Sequence, residues 1–368
     1  MRIVADDKIP FLRGVFEPYA EVRYLPGGAI RREDLRDADA LITRTRTRCN
    51  RELLAGTPVR FIATATIGFD HIDATAMKEL QIEWTNAPGC NAQSVAGYLA
   101  AALTGFRRPL RGLTLGVVGV GNVGRRIVET GEALGMRVLR NDPPRAEREG
   151  STGFCELAQL LEESDFITLH VPLERDGKHP TFHLAGEEFL NAMKPGAVLI
   201  NTSRGEVSDN AALKRALNTG TLRAAVLDVW ENEPEIDREL LDRVFRGTPH
   251  IAGYSADGKA NGTAMAVQAV ARKFGITPLC NWRPAALPAP EPATIELAAA
   301  ASAEEQLAFA CNTSCDLLRD DADLRRDPGR FEQLRGNYRI RREAPAYTVR
   351  GGSGEVRDTL RRLGFRLG

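Results

Sequence analysis

The chain reads as an α/β protein: two doubly wound parallel-sheet domains, Rossmann- and flavodoxin-like, followed by a small α+β C-terminal domain. Three observations predict this. Short apolar runs recur through residues 1–255, alternating with helical stretches and punctuated by Gly, Pro and Asn, as strands buried on both faces of a parallel sheet require. A Val-Gly-Val-Gly-Asn-Val-Gly segment at 118–124 stands directly between one such run and a helical pattern. Five prolines between Pro278 and Pro292 continue neither a helix nor a central strand, so they mark a linker before a tail of different texture.

In the first domain, residues 1–95, the predicted strands are Arg2–Ala5, Val22–Leu25, Ala40–Thr43, Phe61–Thr64 and Ile82–Thr85. A helix over Ala96–Arg108 leads into the second domain, 96–255. Its strands are predicted at Thr114–Val118, Arg137–Asn141, Phe166–Leu169, Ala197–Ile200, Ala224–Leu227 and Thr248–Ile251. A helix over Gly262–Phe274, within 256–280, returns to complete the first domain. After the linker at 281–293 come a helical run, Ala303–Leu318, the arginine-rich Arg319–Arg342, and a βα-like ending from Ala346 to Phe365. The tail, 294–368, is too short for a large core of its own and is expected to lean on a partner subunit.

Composition narrows the function. Lys plus Arg and Asp plus Glu are equal at 49 each, which gives no sign of a nucleic-acid or membrane-surface partner. No apolar run approaches a membrane span, and the opening Met-Arg-Ile-Val-Ala-Asp-Asp-Lys does not resemble a signal peptide. The six cysteines lack metal-ligand spacing and read as structural thiols of a reducing compartment, the cytoplasm.

The glycine-rich segment has the spacing of a dinucleotide fingerprint. Gly119 makes the tight turn, Gly121 admits a pyrophosphate to the backbone, and Gly124 lets the helix pack closely on the strand. Asn122 and Val123 open the helix, whose N-terminal N–H groups face the phosphates. Asp142 ends the next strand, where a carboxylate binds ribose hydroxyls and repels a 2′-phosphate. That favours NAD over NADP, although Arg140 and Arg145 flank it.

Downstream, Arg204 in Asn-Thr-Ser-Arg-Gly, Glu233 in Asp-Val-Trp-Glu-Asn-Glu-Pro and His250 in Thr-Pro-His-Ile-Ala-Gly each follow a predicted strand of the same sheet. Ligands of open α/β sheets bind at the carboxyl ends of strands, so the three converge. Arginine suits a substrate carboxylate, histidine takes a hydroxyl proton, and the carboxylate orients the imidazole. Asp228 is expected to face the nicotinamide carboxamide. In the first domain, Arg44-Thr45-Arg46-Thr47-Arg48, if extended, puts arginines on one side and threonines on the other, a setting for a phosphate in which Arg44 and Thr45 take part. Thr66 ends the next strand, and Tyr254 follows closely after His250. His71 and His170 read as structural, His179 and His183 as solvated, and Cys90 lacks a local activating partner.

The fingerprint and these three segments resemble the D-isomer-specific 2-hydroxyacid dehydrogenases over about residues 1–275. The resemblance implies Arg204 and Glu233 in the active site and His250 as proton donor. It also implies substrate contacts at Thr45, Thr66 and Tyr254, and NAD contacts at Asp142, Asp228 and Gly253. Val171 stands where the family pattern often has threonine, which leaves a backbone contact to NAD there. The tail likewise looks like a dimerisation domain, implying a homodimer. The expected substrate is a phosphorylated hydroxy acid, with one anion for Arg204 and one for the arginine–threonine run. Two other readings stay open at this level: a dehydrogenase of this family with a different acid, and a nicotinamide-sensing corepressor on the same fold.

Overall fold

Apolar runs with no polar alternation can be satisfied only by strands covered on both faces, and the computed structural model, which describes residues 1–368, places them so. The chain divides into two units, Met1–Asn91 with Ser255–Pro288, and Ala92–Tyr254 with Ala289–Gly368.

The first unit is built on a parallel sheet of β1 (Arg2–Asp6), β2 (Glu21–Leu25), β3 (Ala40–Thr43), β4 (Phe61–Thr64) and β5 (Glu83–Thr85) in the order β2-β1-β3-β4-β5. The central strands β3 and β4 are buried at every position. Helix Ala256–Phe274 starts at Ser255, whose hydroxyl accepts from the Gly258 N–H, and ends at left-handed Gly275. Its Ala266, Val267, Val270 and Ala271 share a core with Ile3, Ile42 and Ala63 of the sheet.

The second unit holds a parallel sheet of six strands: β6 (Thr114–Val118), β7 (Arg137–Asn141), β8 (Phe166–Leu169), β9 (Val198–Asn201), β10 (Ala224–Leu227) and β11 (Arg246–Gly247). Their order is β11-β10-β9-β8-β6-β7, so the topological switch lies between β6 and β8. The expected strand at Thr248–Ile251 is not formed. The ladder stops at Gly247 because Pro249 has no N–H to give and His250 turns into the left-handed region with φ +56°. The β9 strand lies one residue later than expected.

The tail adds a small parallel sheet, β12 (Thr294–Glu296), β13 (Thr348–Arg350) and β14 (Arg366–Leu367), with helices at Ala303–Ser314, Leu317–Arg326, Phe331–Gly336 and Gly354–Arg362. It leans on its own chain. Ala310, Cys311, Leu317 and Val349 share one apolar core with Tyr98, Leu99 and Ala102 of helix Ala92–Thr104, which in turn packs on the six-stranded sheet. That shared core supplies the burial a tail of this length lacks by itself.

Candidate active site

The glycine turn after β6 is shaped by close backbone contacts. A Cβ on Gly124 would stand 2.0 Å from the Gly119 carbonyl oxygen, whereas at Gly121 nothing lies within 4 Å. The closed side packs the turn on itself, and the open side leaves room at the start of helix Asn122–Ala133. Gly119, at φ +85°, also abuts the His170 carbonyl and the Val171 side chain, across the switch point. Asp142 follows β7 and ties this turn down. Its carboxylate accepts from the Val120 N–H at 2.8 Å and from the Arg145 N–H at 3.0 Å. The flanking arginines are already committed, Arg140 to Glu132 and Arg145 to Glu149 and the Val120 carbonyl. A close-packed glycine turn, an open helix N-terminus and a carboxylate at the next strand end fit a dinucleotide.

Arg204, Glu233 and His250 follow β9, β10 and β11, three adjacent strands, so they emerge at the same edge of the sheet. Asn201 shapes the first loop: its side-chain amide donates to the Arg204 carbonyl and the Ser208 hydroxyl, and its amide oxygen accepts from Ser203. Gly205 then presses this loop onto the next one, for a Cβ there would lie 1.9 Å from the Trp230 carbonyl oxygen.

Glu233 bridges the second and third loops. One carboxylate oxygen accepts the Trp230 N–H at 2.9 Å, and the other meets His250 Nδ1 at 2.8 Å. Burial works to raise the Glu233 pKa, but the His250 contact, the Trp230 N–H and the Arg335 charge together hold it below the usual value. An ionised Glu233 can only accept, so Nδ1 carries the proton and Nε2 is the basic nitrogen of neutral His250.

Asp228, 1% exposed, anchors the His250 loop from beneath. Its carboxylate accepts from the Thr248 hydroxyl at 2.6 Å and the Ile251 and Ala252 N–H groups at 2.7 and 2.8 Å. Burial raises its pKa against these bonds. Because Thr248 donates to Asp228, the Tyr98 hydroxyl must be the donor in the 2.7 Å Tyr98–Thr248 contact. Arg341 of the tail, fully enclosed, donates to the Ala252 carbonyl at 2.7 Å and to the Cys315 sulfur, holding the same loop just before Gly253 and Tyr254.

His170 follows β8 with Nε2 2.8 Å from the Thr168 hydroxyl; burial pushes its pKa down to about 3, so it is neutral. His183 pairs with Glu231 and His179 with Glu147. In the first unit, Arg44–Arg48 is a turn and not an extended strand. Arg44 forks onto buried Asp6 at 3.1 Å, Thr47 is buried and donates to the Gly27 carbonyl, and Thr45 and Arg46 are exposed. The turn breaks the expected alternation because the Arg44–Asp6 pair and the Thr47 bond pull neighbouring positions inward. Thr66, just past β4, takes the Thr64 hydroxyl and donates to the Gly68 carbonyl.

Residues 89–252 match the family model described as D-isomer specific 2-hydroxyacid dehydrogenase, NAD binding domain, and residues 286–364 match one described as a domain of unknown function (DUF3410). The erythronate-4-phosphate dehydrogenase of Bacteroides fragilis is 50% identical over 95% of this chain and 99% of its own. The chain belongs to the erythronate-4-phosphate dehydrogenase family. The member from Escherichia fergusonii is 42% identical over 99% of this chain and 98% of its own. Among solved structures, the D-lactate dehydrogenase of Aquifex aeolicus, complexed with NAD and lactic acid, superposes with a TM-score of 0.64 at 28% identity. It covers 78% of this chain and 100% of its own.

Sequence reasoning missed the residues that shape this family member's loops. Asn201 and Thr248 lay in view beside the catalytic candidates, and their strand-end positions were a usable signal. Tyr98, Arg335 and Arg341 carried none, since each reaches the loops from a distant stretch of chain.

Proposed function

We propose that this chain oxidises 4-phospho-D-erythronate at C2, giving (R)-3-hydroxy-2-oxo-4-phosphooxybutanoate and NADH, a step of pyridoxal phosphate biosynthesis. Two things support the reading: the full-length likeness to erythronate-4-phosphate dehydrogenases and the 2.8 Å Glu233–His250 pair beside the Arg204 loop. NAD supplies the hydride acceptor. The glycine turn of Gly119, Gly121 and Gly124, with Asn122, Val123, Asp142 and the backbone at Val171 and Gly253, holds it. Asp228 serves the nicotinamide end by fixing the loop that carries His250 and Gly253.

Arg204 holds the substrate carboxylate as a bidentate fork and polarises the C2 oxygen. His250 Nε2 takes the C2 hydroxyl proton, and Glu233, ionised, keeps Nδ1–H in place and stabilises the imidazolium that results. In the reverse direction the same nitrogen returns the proton. Tyr254, Thr45, Thr66 and Arg44 bind the remainder of the substrate, with the 4-phosphate falling to the residues of the first unit. Arg44 does so while held by Asp6, which fixes the guanidinium and leaves Nη1 outside that pair. On this reading the protein works as a cytoplasmic homodimer joined through its tail, a role supported by the large, exposed, apolar Phe309 and Leu318.

NADH formation with 4-phospho-D-erythronate, D-3-phosphoglycerate and D-glycerate in parallel tests the reading, with a 2-oxo acid present to reoxidise bound cofactor. A strong preference for the phosphoerythronate, abolished in Arg204→Ala and His250→Ala, is expected. Turnover of the shorter acids alone would reassign the substrate, and NAD binding without any turnover would favour a sensor.

A further inference from the structure

Arg335 lies in helix Phe331–Gly336 of the tail, yet its side chain is only 17% exposed. Its guanidinium carbon stands 5.7 Å from the centre of the Tyr254 ring. Tyr338 backs the same ring edge-on at 6.2 Å. The Arg335 charge also acts on Glu233.

A guanidinium enclosed for stability alone is normally forked onto a carboxylate. Arg335 is not. Its nearest acidic neighbour, Glu332, is 3.9 Å away and belongs to the same short helix, and its buried Nε–H has no hydrogen-bond partner. Such an arrangement costs stability. The neighbours it does engage are a substrate-binding candidate and the carboxylate that orients His250.

We propose that Arg335 is a positioning residue of the dehydrogenase site, supplied by the tail of the same chain: it fixes Tyr254 and sets a permanent positive charge beside the Glu233–His250 pair. The inference rests on the function proposed above. The groups that act on the pair are the Trp230 N–H and Asp228 from the loop after β10, and Arg335 from the tail. Of these only Arg335 is a permanent cation. A positive charge there favours ionised Glu233 and opposes a second proton on His250, so the pair stays ready to accept the substrate's proton to lower pH. Removing it makes the pair easier to protonate. The acid limb of the oxidation rate then moves to higher pH, while a loosened Tyr254 raises KM.

The experiment compares full-length wild type, Arg335→Met, Arg335→Lys and Tyr254→Phe in NADH formation with 4-phospho-D-erythronate across pH. The His250 ring is followed by NMR in the same proteins, assigned among the five histidines with His250→Gln. For Arg335→Met the expected result is a loss of about tenfold in kcat/KM and an acid limb displaced upward by about half a pH unit. The His250 midpoint should move with the limb, while NAD affinity stays unchanged. Lysine should return the limb toward wild type but leave KM high, because an ammonium keeps the charge and loses the planar fork. A limb and a His250 midpoint that stay put in Arg335→Met overturn the proposal, whatever happens to the rate. Should that variant not fold, Arg335→Gln carries the same comparison. A wild type that does not turn over phosphoerythronate defeats the substrate reading instead, and the NMR midpoint still decides the role of Arg335.

Discussion

Replacing Gly205 with alanine adds a single methyl group where the loops carrying Arg204 and Glu233 touch. The new Cβ would lie 1.9 Å from the Trp230 carbonyl oxygen, 2.0 Å from its carbonyl carbon and 2.6 Å from the Glu231 nitrogen. All three are backbone atoms, so no side-chain rotation relieves the clash. Reaching the 3.4 Å at which such a contact becomes ordinary requires the Arg204 loop to part from the Trp230–Glu233 turn by about 1.5 Å. Gly205 is not among the residues with positive φ, so the cost is one of space alone. Overpacking of this kind destabilises by about 1–3 kcal/mol. The catalytic effect should be larger than the structural one, because misplacement by about 1 Å costs on the order of 100-fold in rate. That corresponds to about 2.7 kcal/mol of lost transition-state stabilisation. NAD affinity should hardly change, since the glycine turn follows β6 and the clash lies after β9 and β10. Steady-state NADH formation, thermal unfolding and NAD titration on the purified variant measure the three quantities. A kcat/KM within about threefold of wild type would show that the contact does not set the spacing of Arg204 and Glu233.

Asp228→Asn turns one acceptor oxygen into a donor amide facing the Ile251 and Thr248 donors or the Ala252 N–H, and should cost about 1–3 kcal/mol and loosen the His250 loop. Chemical unfolding alongside kcat measures it, and an unchanged kcat would remove Asp228 from the positioning of His250. His71 has two buried ring nitrogens without hydrogen-bond partners, and burial pushes its pKa down to about 4. The unfolded chain therefore binds this proton near the ordinary pKa of about 6.5 and the folded chain only near 4, so stability falls as pH drops through that window, by up to about 3 kcal/mol. His71→Asn should lose less stability than wild type between neutral pH and about 4.5 in urea unfolding, and parallel losses would exclude His71 as the source.

Much of the architecture was written locally. Ala40–Thr43, Phe61–Thr64, Thr114–Val118, Phe166–Leu169 and Ala224–Leu227 form strands where their apolar runs predict them, because a strand covered on both faces leaves an unbroken signature. The glycine turn and its helix were legible for a similar reason: the spacing is a steric requirement, as the 2.0 Å approach at Gly124 demonstrates. Local reading failed where a side chain's partner was far away. At Arg44–Arg48 alternation predicted an extended segment, but Asp6 and the Gly27 carbonyl capture Arg44 and Thr47 and turn the chain. At Thr248–Ile251 the composition suits a strand, yet Asp228 gathers the Thr248 hydroxyl and two N–H groups into a loop.

By itself, then, the sequence determined the succession of buried strands, the dinucleotide turn and the placing of Arg204, Glu233 and His250 just after strands, since each depends on spacing within a few residues. Only the tertiary structure decided that Glu233 meets His250 at Nδ1, how Tyr98, Asp228 and Arg341 anchor that loop, and that Arg335 reaches Tyr254. The anchoring contacts join residues up to 150 positions apart, as Tyr98 and Thr248 are, and the stretch around each one carries no trace of its partner.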